Sequence, residues 1–207
     1  MGLFKRFLGQ TRKPEGFFGK LMLNAMNQGH AALSDWGLSH IEGLSPLVIA
    51  ELGCGGGRNV RELLRRYPMS KLYAVDYSAL AVCRTRAYNK PDIVKGRCRV
   101  LKASVQSLPL AASRFDLATA FETVYFWPDP AECFAEVYRI LKCGGSFLIC
   151  NESDGTDAEG LRYERIIDGM HCYTAEELET MLRTAGFSEV QLFRHETKPW
   201  LTVLAKK

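Results

Sequence analysis

The chain has 207 residues, of which 47% are hydrophobic and 24% are charged. This length and composition fit one globular domain with a small appendage and argue against a largely disordered chain. The net charge of +4 matches four bases within the first thirteen residues, Lys5, Arg6, Arg12 and Lys13, and the rest of the chain is neutral. That balance argues against a nucleic-acid-binding surface, and no apolar run reaches the roughly 18 residues of a membrane span.

Seven cysteines stand at irregular spacing, with no CxxC pair and no metal-ligand pattern. An odd, irregular set predicts free thiols in a reducing compartment, so we expect a cytoplasmic protein without a metal site. The first residues lack the long apolar stretch of a signal peptide. Their mixture of apolar and basic side chains leaves two alternatives open, a mobile tail or a short amphipathic anchor.

Short apolar runs alternate with helical patterns along the middle of the chain. The predicted strands cover residues 47–50, 71–75, 99–103, 115–121 and 146–150. Between them, apolar spacing predicts a helix up to Pro68, a second from Ser78 to about Asn89, and a third that ends at Gly144 and Gly145. This alternation is typical of a parallel sheet with helices on both faces.

The end of the chain follows a different pattern. Thr174 and Glu177 form a capping-box sequence that opens a helix, and Gly186 stops it. The runs at 189–194 and 200–205 are too close for an intervening helix and predict an antiparallel hairpin. We therefore predict an α/β fold: a doubly wound, seven-stranded, mostly parallel, Rossmann-like sheet with a C-terminal hairpin. Residues 1–46 form a basic tail and a helical cap (helical over 15–42), and residues 47–207 form the core.

A glycine-rich loop follows the first predicted strand. The sequence Glu51-Leu52-Gly53-Cys54-Gly55-Gly56-Gly57 precedes a predicted helix, whose N-terminus offers free N–H groups to an anion. Asp76 ends the next strand, where a carboxylate can accept both hydroxyls of a ribose. Together they predict a nucleoside ligand; the alternative is a tight turn without one. The spacing differs from the GxGxxG of dinucleotide sites, and Glu51 suits a ligand that carries an ammonium group.

The loop resembles the ExGxGxG motif of class I S-adenosylmethionine-dependent methyltransferases. The resemblance extends over nearly all of residues 47–207, through the sequences SLPL at 107–110, RFDL at 114–117, RILKCGG at 139–145 and YTAEEL at 173–178, followed by AGF at 185–187. The chain is similar to small bacterial members with a methyltransferase type 11-like domain. The resemblance implies S-adenosylmethionine as cofactor and S-adenosylhomocysteine as product.

The resemblance also assigns roles to residues at the ends of the strands. Around the methionine portion of the cofactor it places Glu51, Gly53, Cys54, Gly55 and Phe121. Asp76 would hold the ribose, and Tyr77 would lie against the adenine. Ser104 stands where the family commonly has an acid that meets the adenine amino group, and the Val105 N–H would serve a ring nitrogen. This departure makes the adenine contacts less well defined than the ribose contacts.

Methyl transfer from a sulfonium is an in-line displacement, which needs alignment and a base only where the acceptor carries a proton. Three candidate catalytic residues are Glu122, Tyr125 and His30. The aromatic stretch at 122–129 lacks the signatures of nucleobase methylation and favours a small-molecule acceptor. Packing of its aromatic side chains in the core, and a structural role for His30, are the alternatives. A nicotinamide-dependent Rossmann oxidoreductase and a non-catalytic cofactor-binding module remain rival functions.

Overall fold

The computed structural model describes residues 29–207. Its strands are β1 (Val48–Leu52), β2 (Lys71–Asp76), β3 (Cys98–Lys102), β4 (Phe115–Phe121), β5 (Leu141–Asn151), β6 (Glu189–Arg194) and β7 (Leu201–Lys206). Its helices are α1 (Ala31–Ser39), α2 (Arg58–Arg66), α3 (Ala79–Tyr88), α4 (Lys90–Val94), α5 (Pro130–Ile140), α6 (Ala158–Ile166) and α7 (Ala175–Thr184), with a 3₁₀ turn at Val124–Phe126.

The seven strands form one sheet in the order β3-β2-β1-β4-β5-β7-β6. Strands β1 to β5 pair in parallel, whereas β7 runs antiparallel to both β5 and β6. The predicted doubly wound sheet and its terminal hairpin are confirmed. Because the chain proceeds from β1 to β2 on one side and returns to β4 on the other, a crevice opens between the carboxyl ends of β1 and β4.

The two faces of the sheet are covered by different helices. One face packs against α1, α2 and α3, and its fully buried side chains include Leu33 and Leu38 of α1 and Leu63 of α2. The other face packs against α5 and α7, through side chains such as Phe134 and Leu178. The single helix described ahead of the sheet is therefore part of the main core on one face.

The glycine pair at 144–145 does not stop a helix, as the sequence suggested. Helix α5 ends at Ile140, and β5 begins at the next residue and runs through the glycines. The register shifts between Phe115 and Leu117, which makes this part of β5 irregular. A Cβ at Gly145 would lie 2.9 Å from the Lys142 carbonyl oxygen and 3.0 Å from that of Phe115. The glycine is thus explained by a close approach of backbones within the strand pair.

Two short helices were not predicted. Pro91 lies in the first turn of α4, where a missing N–H has no cost. Helix α6 begins after Asp157, whose side chain accepts a hydrogen bond from the Gly160 N–H at 2.7 Å. Few of its side chains are buried, so apolar periodicity did not reveal it.

At the start of the chain, α1 falls within the helical stretch predicted for 15–42. Residues 40–42, which were also predicted to be helical, form turns, and residues 1–28, with the basic tail and the rest of that prediction, lie outside the described residues. All seven cysteines are free. Within residues 29–207, no helix combines the length and apolarity needed to cross a membrane.

Candidate functional site

The glycine loop between β1 and α2 needs glycine for its backbone conformation. Gly53, Gly55 and Gly57 have φ angles of 83°, 49° and 86°, in the region that side chains disfavour. A Cβ at Gly57 would lie 2.7 Å from Asn89 Nδ2 and 2.9 Å from the Cα of Thr85. Asn89 also donates a hydrogen bond to the Gly57 carbonyl at 3.0 Å. Helix α3 therefore holds the loop close against the end of the sheet.

Asp76, at the end of β2, is bonded directly to this loop. Its Oδ2 accepts a hydrogen bond from the Gly55 N–H at 2.9 Å, and its Oδ1 accepts one from the Ser78 N–H at 2.8 Å. Burial raises the pKa of the carboxyl, and these two hydrogen bonds act in the opposite direction. Each carboxylate oxygen can accept more than one hydrogen bond, so both retain capacity toward a ligand.

Glu51 lies beneath the loop, and only 1% of its surface is exposed. The Thr119 hydroxyl of β4 donates a hydrogen bond to its Oε2. Burial raises the pKa of Glu51 to about 8, although the Thr119 hydrogen bond opposes this shift. Without a cationic partner, the carboxyl is mainly protonated at neutral pH.

A cleft opens at the carboxyl ends of β1 and β4, with about 430 Å³ of empty space including its mouth. It is lined by His30, Ser34, Gly53, Cys54, Gly55, Gly56, Arg58, Asn59, Phe121 and Glu122. The structure thus brings six predicted residues to one cleft, from α1, the glycine loop and the end of β4. Asp76 adjoins it through its bond to Gly55, whereas Glu51 lies below it.

Glu122 follows β4 and has an unusual backbone for a residue with a side chain, with a φ of 58°. Its Oε1 accepts hydrogen bonds from the Tyr125 hydroxyl, at 3.1 Å, and from the Glu152 N–H. Burial of the carboxyl, together with repulsion from Glu152, raises its pKa to about 8. The Tyr125 hydroxyl also accepts a hydrogen bond from the Ser153 N–H at 2.9 Å. Glu122 and Tyr125 therefore form one hydrogen-bonded unit with the loop after β5.

His30 lies opposite this unit, at the start of α1. Its Nε2 is 3.5 Å from Glu152 Oε2. Burial lowers the pKa of His30, and the nearby Glu152 carboxylate partly offsets the effect. One side-chain ligand atom from each of His30, Glu122 and Glu152 lies within 4.8 Å of the other two. Sequence spacing could not reveal this grouping, since the three residues come from distant parts of the chain.

The residues predicted to meet the adenine lie outside the cleft lining. Tyr77 follows β2 with 41% of its surface exposed. Ser104 is exposed, and its Oγ accepts a hydrogen bond from the Gln106 N–H at 3.3 Å. The Val105 side chain is buried in the core on the α5 side. Their place beyond β2 and β3 leaves these assignments as predictions.

Among the aromatic residues after β4, Trp127 packs in the core. Its ring stacks on Phe147 at a centroid distance of 6.1 Å and an interplanar angle of 10°. Its Nε1 donates to Thr123 Oγ1 at 3.2 Å. The packing alternative therefore describes Trp127, while Tyr125 is buried and directs its hydroxyl to Glu122.

Four site residues were missed by the sequence analysis: Ser34, Arg58, Asn59 and Glu152. Arg58 is the first residue of α2, directly after the glycine loop, and that position was a usable signal. Asn59 is the next residue and had the same signal, whereas Ser34 and Glu152 reach the site through the packing of separate elements.

Comparisons with known proteins agree with this fold. Residues 50–149 match the family model of a methyltransferase domain. The chain is 28% identical over 171 residues to cycloartenol-C-24-methyltransferase of Arabidopsis thaliana, which covers 76% of this chain and 50% of that protein. It is 24% identical over 173 residues to the uncharacterized methyltransferase YdaC of Bacillus subtilis, which covers 84% of this chain and 89% of that one.

Among solved structures, an S-adenosylmethionine-dependent methyltransferase from Aquifex aeolicus superposes with a TM-score of 0.74 at 17% identity, over 89% of this chain and 96% of that one. This likeness shows a shared fold. The chain spans half or less of the length of several curated relatives that it matches. The matched domain, which runs from β1 into β5, and the sheet with its terminal hairpin support a class I S-adenosylmethionine-dependent methyltransferase.

Proposed function

We propose that this chain transfers a methyl group from S-adenosylmethionine to a small-molecule acceptor. The observation that carries the proposal is the hydrogen bond between Asp76 and the Gly55 N–H. It places a buried carboxylate with spare acceptor capacity beside a glycine loop, at the edge of an open cleft. That combination suits a ligand with a ribose next to a chain that must pass close to the backbone.

The proposed contacts follow such a cofactor along its length. Asp76 would accept the ribose hydroxyls, and Tyr77, Ser104 and Val105 are proposed for the adenine. The methionine portion would lie along Gly53, Cys54, Gly55 and Phe121, above Glu51. When bound, the cofactor supplies a methyl group that is already activated by its positive sulfur. The protein's task is then to orient the acceptor and exclude water.

Arg58 extends this assignment to the carboxylate of the methionine portion. Arg58 lines the cleft at the start of α2, where the first backbone N–H groups have no side-chain cap and also favour an anion. The carboxylate of an amino-acid group would therefore meet a complementary charge at this wall of the cleft.

We assign the acceptor end of the cleft to Glu122, Tyr125 and His30. Glu122 would accept a proton from the acceptor, because its raised pKa matches proton transfer near neutral pH. The Tyr125 hydroxyl donates to Glu122 and fixes the direction of the carboxyl. His30 would orient the acceptor, and its imidazole would act in the neutral form because burial lowers its pKa. The cleft gathers a few polar groups beside Phe121, a lining that suits a small molecule.

Residues 1–46 are proposed to cover this site, ahead of a catalytic core at 47–207. His30 and Ser34 support this assignment, because both line the cleft from α1. The cover and the core are not separate bodies, since α1 shares the apolar core of the sheet.

The experiment is a calorimetric titration of the full chain with S-adenosylhomocysteine and, separately, with NADH. Asp76→Asn should weaken S-adenosylhomocysteine binding at least tenfold, because the ribose loses a charged acceptor. Asp116→Asn is a matched control. Its carboxylate accepts hydrogen bonds from the Leu47 and Val48 N–H groups, at the opposite end of β1. This variant should bind the cofactor product normally.

Binding of NADH alone would overturn the proposal in favour of an oxidoreductase. Transfer is tested by incubating the protein with methyl-labelled cofactor and a metabolite extract. Label should appear in a small molecule. Binding of S-adenosylhomocysteine without any transfer over a broad extract would instead favour a cofactor-binding module.

A further inference from the structure

An ion pair joins α1, the helix ahead of the sheet, to the first residue of α2, which lines the cleft. Arg58 Nη2 lies 2.9 Å from both carboxylate oxygens of Asp35 in α1. Its Nη1 donates to Asn59 Oδ1 at 3.2 Å. These contacts engage both terminal nitrogens and fix the plane of the guanidinium.

The two partners stand differently toward the cleft. Arg58 lines it beside Gly55 and Gly56, and 21% of its side chain is exposed. Asp35 lies outside the lining, and 48% of its side chain is exposed. Such an exposed carboxylate adds little to folding stability through a surface ion pair. Arg66 Nη2 also lies near Asp35 Oδ1, at the longer distance of 3.9 Å, so the main physical effect of Asp35 is on where Arg58 points.

The surroundings of Arg58 favour an anion within the cleft. Helix α2 has no acidic residue in its first turn and no side chain that caps its first N–H groups. Arg58 and these N–H groups therefore favour an anion at the same end of the glycine loop.

We propose that Asp35 is a positioning residue, which holds Arg58 in the orientation that receives the carboxylate of the cofactor's methionine portion. This inference rests on the proposed function. As a consequence, Asp35 of α1 affects the binding of the cofactor's amino-acid portion indirectly, through Arg58. Loss of Asp35 should weaken the binding of ligands that carry this carboxylate and should leave the binding of ligands without it unchanged.

A purely structural role predicts a different result, and Glu42 supplies the comparison. Glu42 follows α1 and pairs with Arg66 of α2 at 3.2 Å. It joins the same two parts of the chain, but neither partner lines the cleft. If α1 only needs to be tethered, Asp35→Asn and Glu42→Gln should behave alike.

The experiment titrates the full chain and these two variants with S-adenosylhomocysteine and with 5′-methylthioadenosine, which lacks the amino-acid portion. Asp35→Asn should weaken the binding of S-adenosylhomocysteine about tenfold and change the affinity for 5′-methylthioadenosine less than twofold. Glu42→Gln should change neither. In the Arg58→Gln background, Asp35→Asn should cause no further loss, because the residue acts through the arginine.

Equal weakening of both ligands by Asp35→Asn, or no weakening of either, would overturn the inference. Should that variant fail to fold, Asp35→Glu keeps the charge and moves the oxygens by one methylene, and it is held to the same ligand comparison. A parent chain that binds neither ligand would refute the proposed function itself, which separates the two failures.

Discussion

Replacement of Glu51 by glutamine should change how the stability of the protein depends on pH. The pKa of Glu51 is about 8 in the folded chain, against an ordinary value of 4.5. Between these values the folded state holds a proton that the unfolded state releases. The contribution of this group is therefore full below pH 4.5 and is lost as the pH rises through 8. The slope is about 1.4 kcal/mol per pH unit.

Between pH 5.5 and 7.5, the parent chain should lose about 2 to 3 kcal/mol of unfolding free energy relative to Glu51→Gln. Glutamine imitates the protonated side chain and can still accept the Thr119 hydrogen bond. The measurement is urea denaturation at both pH values, with Glu189→Gln on exposed β6 as a control that should follow the parent. Parallel behaviour of Glu51→Gln and the parent would refute the reasoning, because the carboxyl would then be ionised and stabilised in the fold.

The remaining predictions concern the loop, the acceptor end of the cleft and a helix cap. Gly57→Ala should lower the unfolding free energy by roughly 3 kcal/mol, since its Cβ would meet α3, whereas Gly96→Ala, with a similar φ and open space, should cost about 1 kcal/mol. Thermal unfolding of both variants checks this; equal losses would contradict it. Glu122→Gln should reduce turnover about 100-fold and remove a rise in rate centred near pH 8, as a pH profile with an identified acceptor would show. If Glu122→Gln kept the rise in rate near pH 8, the rise would belong to another titrating group. Thr174→Ala should cost about 1 kcal/mol by opening the capping box, and an unchanged denaturation midpoint would argue against it.

The parts of the fold that depend on local sequence could be predicted. Buried parallel strands appear as short apolar runs, and the cap of α7 is written in Thr174 and Glu177. The glycine loop could be predicted equally well, because positive φ angles favour glycine at those positions. Asp76 followed from the same logic, since neighbouring parallel strands end at one edge of the sheet.

The parts that depend on packing between distant elements could not be predicted. The glycines at 144–145 look like a helix stop in sequence, and only the approach of the Phe115 backbone shows why they lie within β5. Glu152 gave no signal, because its relation to His30 arises where α1 crosses the end of β5. The raised pKa of Glu122 depends partly on that same neighbour.

The packing of α1 also constrains how an acceptor can enter. Leu33 and Leu38 are at most 1% exposed, and each would lose about 2 kcal/mol of burial if the helix swung away. Gly37 lies so close to β5 that an added Cβ would be 2.6 Å from Cys150 Sγ. A helix held this tightly should stay in place when an acceptor enters the cleft.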